Sequence, residues 1–228
     1  MRKLGRIFVP VAGAAAIIAG MTGTALATTI VSLPGGTPYT GTVRATNIGG
    51  NVTLSGNGAL GAINTSCTSG TLDAYTLSNG TGGQLTGVTL SGCTNNRGGT
   101  TTITALGLPY SGGGVTYAPV AGGRDGYIYV NAPNLAVDIK AVLTLPSLGI
   151  PSLECHYTLS SSTPLTINLF NKTNANRPVP ANTHSQGTLA GQSLQKKSGT
   201  TTCPNSVSAN GKFQILTQPG GADLQLNP

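Results

Sequence analysis

The chain has 228 residues, of which only 7% are charged and 38% hydrophobic, with a net charge of +7 and no Trp. Low charge beside plentiful Val, Ile, Leu and Thr excludes a disordered chain, which needs the opposite balance. The basic residues are dispersed, so the clustered phosphate contacts and aromatic platforms of a nucleic-acid binder are missing.

The N-terminus reads as a secretory signal. Arg2, Lys3 and Arg6 precede an apolar run from Ile7 to about Met21, and Ala25-Leu26-Ala27 supplies an A-x-A-like cleavage site. The run is too short for a spanning helix, which wants about 20 apolar residues, and Pro10, Gly13 and Gly20 interrupt it. Residues 1–27 are therefore expected to be removed, with Thr28 the new N-terminus and no transmembrane anchor left. Loss of Arg2, Lys3 and Arg6 takes the 12 basic side chains to 9 against 5 acidic ones, a net charge of +4. Leu33-Pro34-Gly35-Gly36-Thr37 resembles a cell-wall sorting motif but stands at the wrong end of the chain, and it reads as a turn.

Four cysteines in an exported chain imply two disulfides. Three pairings are possible. Cys67 with Cys93 and Cys155 with Cys203 is the expected one, because each pair brackets a set of neighbouring strands.

Strand signals follow in chain order as short runs, apolar at alternate positions and separated by Gly, Pro, Asn and Ser clusters. They are Thr40–Thr46, Val52–Ser55, Leu72–Leu77, Gln84–Leu90, Thr100–Leu106, Tyr127–Asn131, Ala136–Leu145, Glu154–Leu159, Leu165–Phe170 and Lys212–Thr217. The clearest is Ala136–Leu145, where Val137, Ile139, Ala141, Leu143 and Leu145 share one face. Turns are expected at Asn79–Gly83, Asn95–Gly99 and Gly112–Gly114, and a long excursion over Asn171–Gln195. Pro146 to Pro151 marks a break that could divide two sub-blocks, but one domain over 28–228 is expected. About ten short strands and no helical stretch predict an all-β fold, an antiparallel sandwich (Greek-key-like) or barrel.

Cys67 in Asn64–Leu72, Gly92-Cys93 after a strand, Gly107-Leu108-Pro109-Tyr110, Glu154-Cys155-His156, Cys203-Pro204 and Gly211–Ile215 together form a pattern. On these residues the chain resembles the small secreted disulfide-containing β-proteins of unknown function common in actinobacteria. The resemblance spans about residues 40–218, with Tyr110 where a Trp is expected. It implies a secreted β-fold and no particular chemistry.

No catalytic, cofactor or metal residue is assigned. His156 follows Cys155, but neighbouring strand residues point to opposite faces, so the two cannot act as a nucleophile pair. Glu154 and His156 share a face without a third metal ligand in view. His184 lacks a G-x-S-x-G serine; Gly191-Gln192-Ser193 begins the motif and does not finish it. Carboxylates for glycoside hydrolysis would have to come from Asp73, Asp125, Asp138, Glu154 and Asp223. Tyr127 and Tyr129 fit cross-strand packing. The sequons at Asn51, Asn64, Asn79 and Asn171 are those expected by chance in so Asn- and Thr-rich a chain. A secreted or envelope-associated non-enzymatic protein is expected, structural or adhesive, with self-association or cell-surface contact. A small-ligand carrier is the alternative if the strands close around an apolar cavity, and a hydrolase the third.

Overall fold

The computed structural model describes residues 28–228, and the predicted signal segment 1–27 lies outside them. After β1 (Ile30–Ser32), the chain runs back and forth through eight long staves, several made of two strands laid end to end. β2 (Gly41–Asn47) and β3 (Val52–Gly58) form the first. β4 (Gly61–Thr76) is the second and β5 (Gly83–Asn95) the third. β6 (Thr101–Leu106) and β7 (Tyr110–Tyr117) make the fourth, β8 (Gly126–Val130) and β9 (Asp138–Leu145) the fifth. β10 (Ile150–Leu159) and β11 (Leu165–Phe170) make the sixth, β12 (Gln186–Gly199) the seventh and β13 (Ser206–Gln218) the eighth. β14 (Gln225–Asn227) ends the chain against β1.

The pairings close the circle. β2 and β3 both pair with β4 on one side and with β13 on the other, so the eighth stave returns to the first. β10 and β11 share β12 in the same way. All pairs are antiparallel. The all-β antiparallel class holds, as do both disulfides and roughly the strand number. Every stave joins its neighbour, so the path is an up-and-down meander where a Greek-key-like one was expected. Closure leaves few free strand edges to template association.

Alternation sets which side chains fill the barrel. In β10, Leu153, Cys155, Tyr157 and Leu159 are buried, while Glu154, His156 and Thr158 face outward. In β13, Val207, Ala209, Phe213 and Ile215 point in. Phe213 is fully buried, and such a side chain contributes about 2–3 kcal/mol. Hydroxyl, amide and charged side chains cover the opposite face.

Both ends of the barrel are shut. Cys155–Cys203 ties β10 to the turn between β12 and β13 at one end, where Ile63, Leu143, Leu145 and Leu153 pack into a cluster with a void of only about 30 Å³ beside it. Cys67 and Cys93 are register partners in β4 and β5, bridged across the ladder. The β1–β14 ribbon stoppers the other end, with Val31 and Leu226 buried against Val43, Ile167, Leu169 and Ile215. Two glycines make that fit possible. A Cβ on Gly126 would lie 2.8 Å from Leu226 Cδ1 and even closer to the Thr116 carbonyl. Gly80 has φ +75° and gives its carbonyl to Val115 N, where a Cβ would collide with the Val115 oxygen.

Two expectations change. Gly112–Gly114, read as a turn, lies inside β7, where Gly113 pairs with both Gly83 and Val130. Gly112 takes φ +80° where the register with β5 shifts between Leu85–Tyr110 and Gly83–Gly113, a bend that glycine makes without strain, and the Tyr129 ring covers Gly114. The excursion stops at Ser185, since Gln186–Gly199 is β12. Pro146–Leu148 forms only a single 3-10 turn between β9 and β10, closed by Gly149 at φ +67°.

Candidate functional site

An internal cavity of about 200 Å³ occupies the middle of the barrel and reaches down to the stopper. Every stave supplies apolar side chains to its wall. Val43, Leu54, Leu72 and Val88 come from the first three, and Ile103, Ile128, Ile167, Leu189 and Ile215 from the others. Val31 and Leu226 form its floor. Among the described residues, no Asp, Glu, Lys, Arg or His lines it. Leu72, Val88, Ile128 and Leu189 point inward and yet are only partly buried, because part of each faces the cavity instead of another side chain.

The cavity exists because of what the sequence puts on the inner face. Ala45, Ala74 and Ala209 stand at lining positions where larger side chains would meet across the barrel. An eight-stranded barrel is just wide enough for its interior to be either packed solid or left to hold one small ligand. Towards the disulfide-tied end bulkier residues fill the lumen. In the middle the alanines leave it open.

One seam in the wall lacks its ladder. β5 and β6 leave a tight hairpin together, bridged at Thr94 and Thr100, and β5 meets the fourth stave again at Leu85–Tyr110 and Gly83–Gly113. Between those points Thr86–Cys93 pairs only with β4, and Thr101–Leu106 pairs only with β9. Among the described residues, no hydrogen bond crosses from one of these stretches to the other. Val88 and Leu90 on one lip and Ile103 on the other line the cavity directly behind it. Tyr110 fixes the lower end of the seam. Its hydroxyl lies 2.8 Å from the Leu106 carbonyl and 2.9 Å from the Asp138 carbonyl, and accepts from Asp138 N at 3.2 Å.

No protein-family model, curated protein or solved structure matches this chain.

The residues considered for chemistry sit outside the barrel. His156 Nδ1 is 2.7 Å from Asp138 Oδ1, and its Nε2 is 3.0 Å from Glu154 Oε1. Lys197 reaches the far oxygen of Asp138 at 3.2 Å, and Lys140 approaches Glu154 at 3.9 Å. Hydrogen bonds that the ring donates to Glu154 and then to Asp138 raise the His156 pKa above its usual value. Partial burial would raise Asp138, but His156 and Lys197 outweigh it and hold the carboxyl below its usual range. Asp138 is the third acid-or-base partner that the sequence left unnamed beside Glu154 and His156. The two carboxylates bind opposite ring nitrogens and so do not converge on one point. Among the described residues, no group of three or more His, Cys, Asp or Glu is placed to hold a metal ion.

Cys155 is buried in its disulfide and faces away from His156. His184 Nδ1 lies 3.1 Å from Asp223 Oδ1, but the Ser185 hydroxyl donates to the Leu224 carbonyl at 2.6 Å and is buried. Asp223 also accepts from Ser185 N at 2.9 Å and from Lys172 at 3.2 Å. Burial would raise its pKa, yet these donors hold it low. This set anchors the segment leading into β14.

Asp125 accepts from the Asn171 and Asn174 amides, tying two loops together. Asp73 forms a two-pronged pair with Arg44 across β2 and β4. Tyr127 and Tyr129 sit with ring centroids 6.1 Å apart, and Arg124 lies over Tyr127. The apolar cavity was missed residue by residue because alternation tells which side chains point in, not whether they meet.

Proposed function

We propose that this is an exported, non-enzymatic β-barrel that carries one small, neutral, apolar molecule in its lumen. The observation behind the reading is the 200 Å³ cavity whose lining holds no charged side chain. An apolar cavity of about 150 Å³ is enough to take benzene. A ligand of that class hides roughly 200 Å² of apolar surface. At about 25 cal/mol per Å² this gives about 5 kcal/mol, or a Kd on the order of 10⁻⁴ M. A carboxylate or ammonium group would meet no oppositely charged partner in the described lining, and its desolvation excludes it.

The two disulfides fit an oxidising, extracellular-type environment. The predicted signal and the polar outer face support release from the cell as a water-soluble protein. The scarcity of charge that suggested a structural or adhesive role is also what a barrel with an uncharged interior needs, and the cavity favours the carrier.

Toluene and benzoate test the reading. Toluene at about ten times its Kd raises stability by about 1.4 kcal/mol and the melting temperature by about 3–6 °C. It also shifts the methyl NMR signals of Leu72, Val88 and Ile128, while benzoate does neither. Absence of any toluene effect, or equal binding of benzoate, overturns the carrier.

A further inference from the structure

We infer that the seam between β5 and β6 is the portal through which a ligand reaches the cavity, an inference that rests on the carrier reading. The lumen has three conceivable exits, and two are closed by many contacts. At one end Cys155–Cys203 and the cluster of Ile63, Leu143, Leu145 and Leu153 block the barrel, leaving only a void of about 30 Å³, room for about one water. At the other, the stopper is bound from several directions. Val31 N donates to Ser78 O at 2.7 Å, Tyr117 N to the Thr29 hydroxyl at 2.9 Å, and Leu226 N to Asn171 Oδ1 at 2.8 Å. Opening that end breaks these bonds and exposes Val31 and Leu226 together.

The seam costs far less to open. Each stretch pairs only on its outer side, Thr86–Cys93 with β4 and Thr101–Leu106 with β9, so among the described residues no hydrogen bond between the two has to break. Its lips are joined only by side-chain contact, and behind them Val88, Leu90 and Ile103 already touch the cavity. The two ends of the seam are hinged by paired residues, Thr94–Thr100 above and Leu85–Tyr110 below. A slot between two strand edges admits a flat ring edge-on or an unbranched chain end-on, and it excludes a globular cage of equal volume. Exposed threonines at 86, 89, 102 and 104 border the slot on its water side, so the rim stays wetted and the apolar surface stays inside.

The test cross-links the wall. Thr89→Cys with Thr104→Cys, joined by a short bis-maleimide, clamps the seam; the native cysteines are all in disulfides and do not react. Thr29→Cys with Tyr117→Cys, joined the same way, clamps the stopper to the barrel wall, where Tyr117 N meets the Thr29 hydroxyl. Exchange of toluene is then followed by NMR in the full barrel. Clamping the seam is expected to slow exchange at least tenfold at unchanged melting temperature, while clamping the stopper leaves it unaltered. Equal rates in the seam-clamped and free proteins, or slowing only by the stopper clamp, overturns the portal.

Hydrogen exchange gives an answer even if toluene does not bind, which would sink the carrier reading by itself. The amides of Thr86–Ser91 that face β6 should exchange at least a hundredfold faster than the β4 amides of Thr65–Leu72. Uniform protection of both strands overturns the portal.

Discussion

Asn171 binds the backbone of Leu226 through both ends of its amide, accepting from Leu226 N at 2.8 Å and donating to Leu226 O at 3.0 Å. A side chain thus stands in for a neighbouring strand and holds β14 over the barrel mouth. Asn171→Ala removes both bonds and is expected to lower stability by about 1–3 kcal/mol. Urea unfolding measures the loss, and limited proteolysis should cut the residues after Asp223 first. Unchanged unfolding and no new cleavage would contradict the stopper.

The disulfides close unequal loops, with a sequence separation of 26 for Cys67–Cys93 and of 48 for Cys155–Cys203. On loop entropy alone, their removal costs about 3.5 and about 4 kcal/mol. Replacing each pair by alanines should lower the urea midpoint in both cases, slightly more for Cys155 and Cys203.

The cluster around His156 gives stability a pH dependence. A pKa raised by Glu154 and Asp138 means that the folded state binds the His156 proton more tightly than the unfolded chain does. Its contribution is complete below about pH 6.5 and is lost as pH rises through the higher folded value. Asp138 and Asp223 are held low, so their contributions are present above about pH 4 and are lost as pH falls through the folded values. Stability should therefore be flat between these limits and decline on both sides. His156→Gln should remove the decline on the alkaline side, as read from urea midpoints at pH 6 and 8.

Filling the cavity separates ligand binding from folding. Ala74 lines the wall, and Ala74→Leu places three more carbon atoms in the lumen. Toluene affinity should fall at least tenfold while the melting temperature holds or rises, because the added atoms gain contacts without displacing others. A large loss of stability would mean that the site is already packed.

Tyr110→Phe removes the hydroxyl that serves both Leu106 and Asp138 at the foot of the seam. Leaving those groups short of a partner should cost about 1–3 kcal/mol. If the seam is hinged there, hydrogen exchange in Thr101–Leu106 should also accelerate.

Much of the wall was legible where alternation was strong. Ala136–Leu145 and Leu165–Phe170 appear close to their predicted bounds as β9 and β11. β4 was seen only from Leu72, because Asn64–Gly70 is made of residues that also build turns, and it becomes strand by pairing with β3 and β5. β7 and β12 were missed for the same reason. The polar cluster at His156 was half visible, since Glu154 lies two residues away on the same face while Asp138 comes from the adjacent strand.

The sequence by itself determined the all-β class, the turns at Asn79–Gly83 and Asn95–Gly99, and which faces of the strongest strands are apolar, because these depend on residues near one another in the chain. It also supported the choice of disulfide partners. Only the tertiary structure decided that the staves close into a ring, that alanines from three of them leave a cavity, and that β5 and β6 part. Those features depend on distances across the barrel between residues far apart in sequence, which no local pattern encodes.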